Sequence, residues 1–500
     1  MTIQRSMPKL VDIALRRPAL VLLVFLLGTL AAAAGLPRLE IRTDGAAIYP
    51  EDDPVVARTL KDRETFNEEE QILLLVSAKP GGLPVASPEG FRFLRKAYLE
   101  LRKQPGVSPF GLHSLADLVE PPAPGNLRVV TYLDEIPDET AAFASLRERI
   151  RKNPAAEGLF LSRDGRVSAF YIPVNQGADR RDVIRQLESW RASRAAAPFD
   201  LRITGPAAAE AVLGETVLAD LSRLVPIMVA AIALLLAFFL RTPGGVLIPL
   251  AQVLATLVWT LGLMGWAGVP VTLVTTILPV LLMAMSMTDE IHLLERVQHR
   301  LAGIPGDIPA RERLRRAARQ AFADIASPLV LTSLTTAAGF FSFLGASMKP
   351  LRDLGLFAGL GLLLALLFTF SLVPALIAVL PAHWIERRRA SLVGALEAPT
   401  WERLLARKGR VVAAAGAVLL ALAIPGLFRL TVQDSWIDNF DPRSPLVTAE
   451  RTFNSSFWGT YRFDVVLEKD RDFFWTPAGA ALLEDVDRLA RSAPHVGGRL

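Results

Sequence analysis

Residues 243–288 read PGGVLIPLAQVLATLVWTLGLMGWAGVPVTLVTTILPVLLMAMSMT, 46 residues without a charge. A membrane-spanning helix needs roughly 20 apolar residues at about 1.5 Å rise each, so this run holds two spans. Gly265-Trp266-Ala267-Gly268-Val269-Pro270 divides them: Gly and Pro punctuate the chain, and a Trp suits a membrane interface. Outward from this stretch lie further uncharged runs at 18–36, 224–240, 325–348, 354–382 and 411–428. The count is seven spans.

Composition agrees with that reading. Of the 500 residues 51% are hydrophobic and 21% charged, and the mean hydropathy is +0.35. These are membrane values, and they exclude a disordered chain. The chain has no cysteine, which removes thiol nucleophiles, thiolate metal sites, disulfide scaffolds and redox switching. The net charge of +5 is explained by where the cations sit. Arg5, Lys9, Arg16 and Arg17 precede span one. Arg296, Arg300, Arg311, Arg313, Arg315, Arg316 and Arg319 lie between spans four and five. Arg387, Arg388, Arg389, Arg403, Arg407, Lys408 and Arg410 lie between spans six and seven. Connectivity puts all three clusters on one side, which the positive-inside rule makes cytoplasmic. The N-terminus is then inside, residues 37–219 and 429–500 are exported, and no nucleic-acid partner is expected. The competing reading of the first run is a cleaved signal peptide ending near the small residues 31–35.

Shifted by 391 residues, the chain lies on itself. Ala14-Leu15-Arg16-Arg17-Pro18 falls on Leu405-Ala406-Arg407-Lys408-Gly409, and Leu36-Pro37-Arg38-Leu39-Glu40-Ile41 on Leu427-Phe428-Arg429-Leu430-Thr431-Val432. Pro54-Val55-Val56 falls on Pro445-Leu446-Val447 and, with a two-residue slip, Gln104-Pro105-Gly106-Val107 on Ala493-Pro494-His495-Val496. Repeated halves are a recurring way to build transporters. The second copy ends inside its exported segment, so the expectation is an N-terminal part of a longer chain, poorly stable or inactive alone.

The exported segment 37–219 reads as mixed α and β. Residues 71–77 (QILLLVS) are a buried-strand run, and 88–103 have helical spacing through Phe91, Leu94, Tyr98 and Leu101. Further amphipathic helices are expected at 138–152 and 182–194, a hairpin in 158–174 turning at Arg163-Asp164-Gly165, and a last strand at 199–204. Gly205-Pro206 breaks that strand before a helix leads into span two. No metal-ligand spacing or phosphate loop is present here, and a structural role and a substrate-channel role both stand.

A carboxylate at membrane depth is costly and is a functional hypothesis by default. One place qualifies, the end of span four: Met285-Ser286-Met287-Thr288-Asp289-Glu290-Ile291-His292-Leu293-Leu294-Glu295-Arg296. Met285, Asp289, His292 and Arg296 share a helical face, while Glu290 lies about 100° away. A carboxylate with a histidine one turn on, at the edge of low dielectric, can carry protons. The bland alternative is a helix end snorkelling to the headgroups. A second polar run, Thr332-Ser333-Leu334-Thr335-Thr336 in span five, offers Thr332, Thr335 and Thr336 as proton-relay or water-holding hydroxyls, or simply as small packing residues. Gly355, Gly359 and Gly361 in span six read as a close-packing face.

The layout resembles the resistance-nodulation-division superfamily of secondary transporters: one span, an exported porter-like domain, five spans, then a repeat. Residues 327–380 (SPLVLTSLTTAAGFFSFLGASMKPLRDLGLFAGLGLLLALLFTFSLVPALIAVL) resemble its branch of large bacterial lipid and hydrophobe exporters, which includes the mycobacterial-membrane-protein-large type and hopanoid transporters. Relatives carry Gly-x-Gly-x-Asp-(Asp/Tyr)-x-x-His in span four as a proton-coupling site. Here Ser286 replaces a Gly, Thr288 stands at the first acidic position, Asp289 matches the second, and His292 is the His.

The resemblance implies an α-helical polytopic membrane protein with exported α+β porter-like domains. Its parts are a cytoplasmic N-terminus and span one (1–36), porter-like domain one (37–219), spans two to four (220–294), a basic cytoplasmic segment (295–324), spans five and six (325–382), a cytoplasmic linker (383–408), span seven (409–428) and the start of a second porter-like domain (429–500). It implies proton-driven export of lipids or other hydrophobic molecules from the bacterial inner membrane, with Asp289, His292, Glu290 and Thr288 as the relay. Expected partners are a lipid cargo, membrane lipids, the C-terminal half of the same chain, and a further copy or a periplasmic accessory protein. No cofactor, metal or enzymatic activity is expected. Two other readings stand beside export: a sterol-sensing-like lipid-binding receptor or scaffold without coupled flux, and an accessory of protein export from the same superfamily.

Overall fold

The computed structural model describes residues 2–42, 53–66, 70–120, 130–153, 155–175, 177–305, 307–386, 399–430, 437, 440–460, 465–470 and 472–492. Arg387, Arg388 and Arg389, and the repeat partners at 431–432 and 493–496, lie outside them.

In chain order the elements are α1 (Thr2–Arg16), α2 (Pro18–Ala33), α3 (Pro54–Thr65), β1 (Gln71–Ala78), α4 (Pro88–Leu101), α5 (Thr140–Lys152), β2 (Val167–Pro173), α6 (Arg180–Ala192), β3 (Phe199–Thr204), α7 (Pro206–Leu240), α8 (Pro243–Trp266), α9 (Leu278–Ala302), α10 (Ala310–Phe341), α11 (Lys349–Val379), α12 (Pro399–Leu427), α13 (Pro445–Ser456) and α14 (Pro477–Ser492). Short 3₁₀ turns join several of them. Among the described residues, seven helices are long and apolar enough to cross a membrane. The chain forms two compact units, one of residues 1–53 and 214–432, the other of 54–213 and 433–500.

The first unit is helical. Its centre is α11, which packs against α1, α2, α8, α9 and α10. The small residues of span six explain the close approach: a Cβ built at Gly361 would lie 2.6 Å from Leu282 of α9, and one at Gly359 would lie 2.5 Å from the Phe341 ring of α10. Helix α10 begins at Ala310, well ahead of the apolar run at 325, so residues 310–324 of the basic segment are one helix with span five, while its first residues, 295–302, end α9. Hydropathy marks where lipid begins, while helix propensity and the Arg316–Glu312 pair at 3.1 Å set the helix start. Between α8 and α9 the chain turns through Gly268, whose φ of +66° is open to glycine at little cost.

The second unit is built on a three-stranded antiparallel sheet in the order β2-β1-β3. Central strand β1 is buried on both faces, which accounts for an unbroken apolar run in place of alternation. Ile72, Leu74 and Val76 face a core with α4, α5 and α6 residues such as Phe91, Leu146 and Leu187. Leu73 and Leu75, with Val167 and Ala169 of β2, face Ala449, Phe453 and Phe457. The segment after span seven thus covers the second face of the first copy's sheet. Of the expected hairpin, the turn is present, with Gly165 N–H donating to Ser162 O at 2.8 Å. The arm before it meets β2 through an isolated bridge, Leu161 to Ser168, in place of a strand. Strand β3 stops at Thr204, and α7 starts at Pro206 after Gly205 at φ +98°.

Candidate functional site

The polar chemistry inside the first unit centres on α9. Glu290 is fully buried, at 0% exposure. Its Oε1 accepts a 2.7 Å hydrogen bond from Thr369 Oγ of α11. Gln252 of α8 stands behind Thr369, its amide donating to Thr369 Oγ and to Ala365 O, each at 3.2 Å. Three helices therefore meet at one carboxyl.

Asp289 points elsewhere. It is half-buried, and its Oδ2 accepts from Ser333 Oγ of α10 at 3.0 Å. The 100° step between successive helical residues sends two adjacent carboxyls to different neighbours. His292 and Thr288 are exposed, and the Thr288 hydroxyl donates to Ala284 O of its own helix at 3.3 Å. Thr332, Thr335 and Thr336 likewise donate to α10 carbonyls, Pro328 O at 3.0 Å, Leu331 O at 2.8 Å and Thr332 O at 2.7 Å. The fold joins Asp289 to Ser333 and Glu290 to Thr369, which Gln252 backs; His292 lies within electrostatic reach of Asp289, and these threonines bond to carbonyls of their own helices.

Four buried polar atoms around this point have no hydrogen-bond partner among the described residues: Gln252 Oε1, Thr256 Oγ, Ser286 Oγ and Glu290 Oε2. Residues 252 and 256 stand one turn apart on α8, and 286 and 290 one turn apart on α9. An unpaired buried polar atom is uncommon and calls for an unseen proton, water or ion. Among the described residues, no three His, Asp or Glu side chains come together as a metal site.

Gln252 and Thr369 are not reached by reading span four alone, but both leave a trace. Gln252 is the sole amide in the uncharged run 243–288, and Thr369 is one of two hydroxyls in 354–382. The orientation of α9 is also legible. From residue 289 onward Asp289, His292, Arg296, His299 and Arg300 mark one face, and Leu293, Leu294, Val297 and Leu301, all buried, mark the face that Glu290 shares.

Seven apolar helices, a carboxyl enclosed among three of them and a small αβ unit define a polytopic membrane protein. The chain belongs to the MMPL family, whose family model matches residues 50–415. It is 21% identical over 391 residues to a membrane protein of Methanocaldococcus jannaschii, covering 76% of this chain and 95% of that one. It is 46% identical over 50 residues to the hopanoid transporter HpnN of Burkholderia multivorans, covering 10% of this chain and 6% of the transporter.

Proposed function

We propose that this protein exports lipids or other hydrophobic molecules from the inner membrane at the expense of the proton gradient. In this reading its N-terminus and basic clusters are cytoplasmic and its αβ unit is exported. Glu290 is the group that binds the proton, and Asp289 on the adjoining face is a second carboxyl through which protons pass.

The observation that carries the reading is the enclosure of Glu290 with one oxygen unpaired. A bare carboxylate is costly inside a low-dielectric bundle, and a proton removes that cost. With the Gln252 amide oriented toward Thr369, Gln252 Oε1 and Glu290 Oε2 are acceptors without a donor among the described residues. A proton on Oε2 makes it a donor, and Gln252 can then read the protonation state and pass it through Thr369 to α11. A bundle that alternates between enclosing this carboxyl and wetting it loads a proton on one side and releases it on the other. The MMPL match and the hopanoid transporter match support the cargo class, and a hopanoid is the first cargo to try.

The test is export of a fluorescent lipid, or of a hopanoid, by the full-length protein in proteoliposomes with an imposed pH gradient. Export that stops when the gradient is collapsed supports the proposal. Tight lipid binding with no gradient-dependent movement would instead identify a lipid receptor or scaffold.

A further inference from the structure

An apolar groove of about 340 Å³ runs along the wall of the helical unit between α2, α8 and α11. Leu22, Phe25 and Leu26 of α2, Leu254 of α8, and Leu372 and Leu376 of α11 line it. Leu26 and Leu254 are exposed, at 57% and 42%, so the groove opens outward from the bundle.

One end is closed by contact between α2 and α8. Trp259 Nε1 donates to Thr29 Oγ at 3.0 Å, and a Cβ built at Gly28 would run into the Trp259 ring. Phe368 of α11 backs this end, edge-on to Phe25 with ring centroids 4.6 Å apart and to Trp259 at 5.2 Å.

The other end lies at the start of α2. Successive spans alternate in direction, so α8 begins and α11 ends on the side where α2 begins. Leu22 stands five residues past Arg17, about 7.5 Å along the helix, and Leu376 stands three residues from the end of α11. The helix breaks here, with Arg17 at φ −127° and ψ 57° between α1 and α2. Arg16 and Arg17 are both exposed and make no ion pair among the described residues. Asp12, the acid one turn before Arg16, is engaged by Arg319 of α10 at 2.8 Å. Two uncompensated cations therefore stand at the mouth of an apolar groove.

These two features together select the occupant. A helix is about 10–12 Å across with a pitch of about 5.4 Å, so a single turn of it exceeds the groove. An acyl chain is thin enough to enter. Guanidinium groups present forked donors that match a phosphate, and cations at a membrane boundary attract anionic headgroups.

We propose that the groove is a resident-lipid site: an acyl chain of an anionic phospholipid, from the leaflet on the N-terminal side, lies between α2, α8 and α11 with its phosphate on Arg16 and Arg17. This lipid is part of the fold and is distinct from any exported cargo. It seats α2 against the α8–α11 pair, and its chain lies against α11 at Leu372, one turn from Thr369.

The test is native mass spectrometry of the full-length protein, delipidated in mild detergent and then offered palmitoyl-oleoyl phosphatidylglycerol or the phosphatidylcholine with the same chains. Phosphatidylglycerol should be retained at least about fivefold better, the step that one cation near an anionic headgroup supplies. Replacing both arginines, Arg16→Gln with Arg17→Gln, should bring the two lipids level. Leu254→Trp, which fills the groove from an exposed position, should reduce retention of both, whereas Leu23→Trp, exposed on α2 outside the groove, should leave it unchanged. Equal retention of the two lipids by the unaltered protein overturns the proposal, as does unaltered phosphatidylglycerol binding by Leu254→Trp. Displacement of phosphatidylglycerol by an equimolar hopanoid also overturns it, because the groove would then be a cargo site. Efficient disulfide formation between Leu26→Cys and Leu419→Cys of α12 would do the same by giving the groove to span seven. The comparison of the two lipids uses the unaltered chain, so it decides the matter even if a substituted chain fails to fold.

Discussion

Thr369 donates to Glu290 from the facing helix, and Thr369→Val keeps the side-chain volume while removing that donor. Losing a partner to a buried polar group costs about 1–3 kcal/mol, so Thr369→Val should lower the thermal midpoint of the purified protein and weaken coupled export. An unchanged midpoint together with unchanged export would separate Thr369 from the site. A second residue-level expectation lies outside the membrane spans. His113 Nδ1 is hydrogen-bonded to Asp117 Oδ2 at 2.9 Å, and that bond raises the His113 pKa above its ordinary 6.5. Because the folded value is the higher one, the stability from this pair is fully present below 6.5 and is lost as pH rises through the folded value. Asp117→Asn should bring the titration midpoint of His113, followed by NMR, back towards the ordinary value; a midpoint that stays raised would assign the shift elsewhere. The two carboxyls of α9 also show what single-residue reading resolves. Helical spacing separates Asp289 from Glu290 by face, and the run of Leu293, Leu294, Val297 and Leu301 says which face turns inward. The partners of Glu290 come from two other spans, and no spacing within span four contains them.

Element by element, the strands and helices of the αβ unit follow their local pattern closely. Strand β3 occupies residues 199–204 as its sequence indicates, and α4 ends two residues short of the periodic run. What local pattern cannot carry is the cover of a sheet by a distant segment. The doubly apolar strand β1 announces that both of its faces are buried, yet its second cover, α13, arrives more than 360 residues later. Phe453 at the centre of that cover is fully buried. Phe453→Ala should cost about 3–5 kcal/mol and speed proteolysis of the αβ unit at residues near β2. Unchanged protease resistance would mean that the first sheet holds without α13. Helix ends within the first unit were the other hidden feature. Helices α7 and α10 both run well beyond their apolar stretches, because a backbone helix continues through polar residues with good propensity whether or not lipid surrounds them.

For the whole molecule, the proposed orientation has residue 134 exported and residue 311 cytoplasmic. Single cysteines at these positions in intact spheroplasts should react with an impermeant reagent at 134 and not at 311; the reverse pattern would invert the proposed topology. In the function proposed above, proton entry at the enclosed Glu290 drives movement of cargo. The most direct test is pH-gradient-driven export by the full-length protein in proteoliposomes, compared for the unaltered chain, Glu290→Gln and Asp289→Asn. Glutamine keeps the size of Glu290 and its acceptor for Thr369 but cannot give up a proton. The account predicts that Glu290→Gln abolishes gradient-driven export while expression, insertion and lipid binding persist, and that Asp289→Asn, half-buried beside Ser333, slows export without abolishing it. Near-normal export by Glu290→Gln would contradict the account, and loss confined to Asp289→Asn would move the proton to the other face of the helix.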